Sequence, residues 1–137
     1  MSIRVERLAQ GLMFPEGPAI GPDGELYVTE IAGQRISKIA EDGTVSTFAN
    51  TGGGPNGAAF NSRGELVVAN NGGRWPTDVP STSQAPEPDF GQGRIQTVSS
   101  EGVVVSELSE VGGISLNSPN DLCFDSYRLV FCVIGRF

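Results

Sequence analysis

The chain has 137 residues, about the size of one ordinary domain. It carries 9 Lys and Arg against 16 Asp and Glu, a net charge of −7, so it lacks the basic footprint of a nucleic-acid binder. It contains no histidine, which excludes a Ser-His-Asp triad, a Cys-His dyad and an HExxH zinc site within these residues.

Glycine is abundant, at 19 residues, where the usual share of ~7% would give about half as many. Hydrophobic residues make up 38% and recur in short clusters, which argues against a disordered acidic tail. Met1 is followed by Ser2, Arg4, Glu6 and Arg7, so no signal peptide is visible. No apolar run approaches the ~20 residues that span a membrane. A cytoplasmic protein with no membrane or nucleic-acid partner is the expectation. Cys123 and Cys132 form neither a CxxC nor a zinc pattern, and read as buried or incidental thiols.

The first elements in chain order come from a repeat. Residues 15–30, PEGPAIGPDGELYVTE, align with residues 55–70, PNGAAFNSRGELVVAN, at an offset of 40. A further copy, PNDLCFDSYRLVF, starts at Pro119. Each copy predicts two short strands joined by a tight turn, with Pro22-Asp23-Gly24 and Ser62-Arg63-Gly64 as turn chemistry. Between the copies, residues 33–45 (GQRISKIAEDGTV) align with residues 92–104 (QGRIQTVSSEGVV) and predict another strand pair. One unit is therefore four short antiparallel strands in about 40 residues, the signature of a β-propeller blade. No stretch shows sustained helical periodicity.

The expected fold is all-β: one incomplete β-propeller domain over residues 1–137, with two blades and the opening of a third. Residues 74–92, rich in Pro, Ser and acidic side chains, are expected to be an inserted surface loop, with Trp75 and Phe90 pinning its ends. Residues 127–137 depart from the repeat: Tyr127-Arg128 stands where a turn glycine is expected, followed by LVFCVIGRF. They read as the aberrant tail of a truncated or frameshifted chain. The alternative is a divergent natural end, with 129–134 as a buried strand.

The position after each repeated proline holds Glu16, Asn56 and Asn120, with Asp121 beside the last. Each stands at the start of an innermost strand, so oxygen-bearing side chains converge on one axial space. Hard oxygen donors of this kind suit Ca²⁺, Mg²⁺ or Mn²⁺, with zinc as a further option. The structural alternative is that Asn after Pro stabilises a turn.

Residues 12–36 (LMFPEGPAIGPDGELYVTEIAGQRI), 53–73 (GGPNGAAFNSRGELVVANNGG) and 117–125 (NSPNDLCFD) resemble the senescence marker protein/gluconolactonase/luciferin-regenerating family. The resemblance implies a six-bladed propeller, of which this chain holds about two and a half blades. It implies one divalent metal ion, with calcium favoured over Zn, Mn or Mg, and a small lactone or ester as substrate. It makes Glu16 a metal ligand and assigns Asn120, Asp121 and Asn56 to substrate binding. Ser118 stands where some members carry a substrate-gripping arginine, which weakens the case for a sugar-acid lactone. The family's remaining metal ligands and its catalytic base come from later blades, so no catalytic residue is expected here and the isolated chain is expected to be inactive. The alternative function is a non-catalytic propeller scaffold or ligand-binding protein. Exposed blade faces would favour self-association.

Overall fold

The computed structural model describes residues 3–73, 91–126 and 128–133, the last four of these by their backbone alone. Most of the inserted segment (74–90, including Trp75 and Phe90), together with Tyr127 and residues 134–137, lies outside the described residues.

Four strands form the first blade: β1 (Pro15–Ile20), β2 (Leu26–Glu30), β3 (Arg35–Ile39) and β4 (Val45–Asn50), hydrogen-bonded in that order and antiparallel throughout. The second blade repeats the arrangement with β5 (Pro55–Phe60), β6 (Leu66–Asn70), β7 (Arg94–Val98) and β8 (Val104–Leu108). A short hairpin, β9 (Glu110–Val111) with β10 (Ile114–Ser115), leads to a third unit made of β11 (Pro119–Phe124) and β12 (Leu129–Val133). No helix occurs among the described residues, so none there is long and apolar enough to cross a membrane.

The tight turns share one chemistry. Gly24, Gly43, Gly64 and Gly102 each donate a backbone N–H to the carbonyl three residues earlier, at 2.9–3.0 Å. All four have φ between +76° and +83°, the left-handed region that glycine enters without a Cβ penalty. The third unit closes its turn differently. Asp125 N–H donates to the Arg128 carbonyl at 3.0 Å, and Arg128 N–H donates to Asp125 Oδ1 at 2.6 Å. The aspartate side chain thus accepts a backbone N–H across the connection, and the strand after it, β12, pairs with β11.

Packing between blades builds two cores. Tyr27, Ile36 and Ala49 of the first blade meet Leu66, Val68 and Val98 of the second. On the other side of β6, Val67 and Ala69 join Ile95, Leu116 and Leu122. Successive β6 side chains therefore enter opposite cores, which explains the uninterrupted apolar run Leu66–Ala69. Tyr27 anchors the first core edge-on to Phe48 and Phe60, with ring centroids 4.9 and 5.1 Å apart. Of the two readings open for Cys123, buried or incidental, its place on β11 fits the second: it is exposed, on the face opposite the core residue Leu122. The β9–β10 hairpin was not foreseen in the connection between the second and third units.

Candidate functional site

The inner strands β1, β5 and β11 run side by side. Each opens on a proline, a residue tolerated at a strand start because no ladder N–H is required there. Each then accommodates one extra residue relative to its partner, between Glu16 and Ala19, between Pro55 and Ala58, and between Pro119 and Asp121. Such bulges bend a strand and re-aim the side chains beside them.

Glycines set the spacing between these strands. A Cβ on Gly17 would fall 2.1 Å from the Asn56 carbonyl oxygen, and one on Gly57 would fall 2.4 Å from Asp121 Oδ1. The strands therefore approach more closely than any side chain there would permit. One open cleft of about 340 Å³ results, lined by Glu16, Gly17, Asn56, Gly57, Asn120 and Asp121 among others. It brings together all four residues singled out by the repeat.

Glu16 is exposed to the cleft, and among the described residues its carboxylate has no hydrogen-bond or ion-pair partner. Asn56 Nδ2 donates to Asn120 Oδ1 at 3.0 Å, which links the second inner strand to the third. The Asn56 carbonyl accepts from the Thr29 hydroxyl, tying that strand back to the first blade. Asp121 Oδ1 accepts from Leu122 N–H at 2.8 Å. Every polar side-chain group in this lining is a carboxylate or an amide, a donor set suited to a hard divalent cation. Among the described residues no cluster of three or more His, Cys, Asp or Glu could hold a metal by itself. The residues present thus fit part of an oxygen shell.

Beside the entry to β1 lies a polar core that the sequence reading missed. Glu30, at the end of β2, is fully buried (0% exposed). Arg35 Nε donates to its Oε1 at 2.9 Å and Arg35 Nη2 to its Oε2 at 3.2 Å. The Ser37 hydroxyl and the Met13 backbone N–H complete the shell. Burial pushes the Glu30 carboxyl up, but the hydrogen bonds from Arg35, Ser37 and Met13 outweigh it and hold the group below its usual range. The equivalent in the second blade is Asn70, which donates to Gly52 O and Gln96 Oε1 and accepts from Gly54 N–H. The signal was present: Glu30 and Asn70 occupy the last column of the repeat.

A family whose pattern is described as the SMP-30/gluconolactonase/LRE-like region matches residues 14–134. The chain belongs to this family. Among solved structures, a gluconolactonase from Xanthomonas campestris superposes with a TM-score of 0.70 at 25% identity, over 90% of this chain and 36% of that one. A putative gluconolactonase gives 0.68 at 25% identity, over 92% and 38%. A putative oxidoreductase (glucose dehydrogenase) from Thermus thermophilus, at 22% identity and a TM-score of 0.58 over 91% of this chain and 38% of that one, shares the fold. No curated protein matches. The family member described here spans 36–38% of the length of the two gluconolactonase structures, so its two blades and partial third are part of a propeller.

Proposed function

We propose that this family member carries part of the site of a divalent-cation-dependent hydrolase of small lactones or esters. The observation that carries the reading is the single cleft in which three successive inner strands present Glu16, Asn56, Asn120 and Asp121. Glu16 would be the anionic ligand, with calcium favoured because the polar lining offers only oxygen and amide groups. When bound, such a cation supplies a Lewis acid for an ester carbonyl or acidifies a water molecule.

The remaining residues orient the substrate. The Asn120 Oδ1 is occupied by Asn56, which leaves its amide N–H₂ to donate to a lactone oxygen. Asp121 and Asn56 line the same wall. None of the cleft residues is proposed as the general base, a role that the family resemblance gives to an aspartate of a later blade, and Asp121, which accepts from Leu122 N–H, stays with substrate binding. Residues 1–137 alone are therefore expected to hydrolyse lactones little or not at all. Loss of a proton-transfer group by itself typically costs about 10²–10⁴-fold.

The experiment is calorimetric titration of Ca²⁺, Mn²⁺ and Zn²⁺ into the chain and into Glu16→Gln, which keeps the shape and removes the charge. Binding should weaken by about tenfold or more on loss of the anionic ligand. Equal affinity in the two proteins would reject the assignment.

A further inference from the structure

We propose that Glu30 is a positioning residue: with Ile31 it clamps a strained entry to β1 and so fixes the aim of the Glu16 carboxylate. The proposal rests on the reading of Glu16 as a cation ligand.

Phe14 has φ of +55°, the left-handed region that non-glycine residues seldom enter. Such outliers persist only where the surroundings over-determine them, and they gather at functional sites. Here the surroundings are specific. On one side of Phe14, the Met13 N–H donates to Glu30 Oε2. On the other, the Phe14 carbonyl accepts from Ile31 N–H at 3.0 Å. Glu30 and Ile31 are consecutive, so the end of β2 grips the backbone on both sides of the strained residue. Pro15 and Glu16 follow at once, paired with Glu30 and Thr29.

A fully buried carboxylate is a costly grip, since taking an ion out of water is unfavourable unless partners compensate. Arg35 and Ser37 supply that compensation. Gly33 leaves room for it, because a Cβ there would stand 2.9 Å from Glu30 Cβ and 3.1 Å from Oε2. The second blade holds its entry with a neutral amide and one residue further on, at the counterpart of Phe14 rather than of Met13. Asn70 holds Gly54 N–H at 2.9 Å, and the entry there is Gly52-Gly53-Gly54, with no strained side-chain-bearing residue. Between these two blades, charge and backbone strain thus coincide in the one whose inner strand offers Glu16, not Asn56, to the cleft.

The test uses the full 137-residue chain with Glu30→Gln, Phe14→Gly and Phe14→Asn. Calcium affinity, thermal midpoint and exchange of the Met13 amide are measured on each. Phe14→Gly frees the entry to leave φ > 0. Phe14→Asn also removes the ring but tolerates the left-handed region. Phe14→Gly and Glu30→Gln should weaken Ca²⁺ binding about 5–10-fold while Phe14→Asn stays within about twofold, a split that lost ring packing does not produce. Equal Ca²⁺ affinity in the wild type, Glu30→Gln and Phe14→Gly, all folded, would overturn the positioning role. Should Glu30→Gln fail to fold, the two Phe14 variants decide. If the wild type and Glu16→Gln bind Ca²⁺ alike, the cation reading fails. The clamp is then judged by the Met13 amide: faster exchange in Glu30→Gln upholds it, and unchanged exchange overturns it.

Discussion

Blade one and blade two are built from the same repeat, yet equivalent positions on their inner strands live in different surroundings. Pro55 is fully buried, whereas its counterpart Pro15 is exposed. Phe60 packs its ring on Tyr27 of the preceding blade, whereas its counterpart Ile20 is 66% exposed. The side chains are comparable in kind; what differs is that, among the described residues, the second blade packs on the one before it. The polar cores differ in a second way, since Glu30, Arg35 and Ser37 become Asn70, Arg94 and Gln96. The comparison teaches that blade identity is set locally, while the contribution of a position to stability is set by the neighbour that covers it.

The harshest way to break that neighbour relation is to push the inner strands apart. Gly17→Ala combines a disfavoured φ of +44° with a backbone clash and should cost about 3 kcal/mol or more, or abolish folding. Gly57→Ala should approach it. Gly24→Ala, at φ +82° with nothing within 4 Å of the new Cβ, should cost only about 1 kcal/mol. Urea denaturation of the three variants reads the difference, and equal losses would show that strand approach is not what these glycines serve.

A milder probe truncates the two counterparts in turn. Phe60→Ala should destabilise by about 2–4 kcal/mol through the cavity beside Tyr27. Ile20→Ala should stay within about 0.5 kcal/mol. Comparable effects at both positions would mean that the first blade's outer face is covered in solution.

The polar core gives a smaller effect. Asn70→Ala leaves the Gly54 N–H and Gln96 Oε1 without their partner and should cost about 1–3 kcal/mol. Thermal midpoints of Asn70→Ala and Asn70→Asp would show whether the second blade tolerates the charge that the first one carries.

The smallest effect lies at the surface. The hydrogen bond from Lys38 holds the Asp23 carboxyl down at about 2, helped by Glu25 N–H and Tyr27. A carboxyl lowered in the folded state contributes stability above its unfolded pKa of 3.8 and loses it as the pH falls toward 2. The gap in thermal midpoint between the wild type and Asp23→Asn should therefore narrow across that window. A gap that stays constant from about pH 5 to pH 2 would remove the pair from the account. In the second blade Arg63 stands at the equivalent position, and the turn is held instead by Asn61, Arg63 and Glu65.

Much of this architecture was legible because its causes are local. The offset of 40 residues placed β1–β2 over β5–β6, and the turn glycines fixed where each hairpin closes. The proline-led entries marked Glu16, Asn56 and Asn120 as equivalent, and the structure puts them in one cleft. The β9–β10 hairpin was missed although Val111-Gly112-Gly113-Ile114 carries a two-residue turn signal, and both glycines have positive φ. Glu30 was missed because a carboxylate at a strand end reads as solvent-facing until its partners are known. Arg35, Ser37 and Met13 N–H reach it from the next strand and from the entry to the blade.

The sequence by itself determined the four-strand period, the turn geometry and the kind of donor offered at each inner strand. These follow from side-chain alternation and from φ preferences, which act over a few residues. Only the tertiary structure decided which copy of a repeated residue is buried, how closely the inner strands approach, and that a buried carboxylate accepts from the Met13 N–H just ahead of the left-handed Phe14. Those outcomes depend on atoms 17 to 64 residues away in the chain, as with Met13 and Glu30 or Asn56 and Asn120. Burial and desolvation are properties of the assembled neighbours, so no local pattern encodes them.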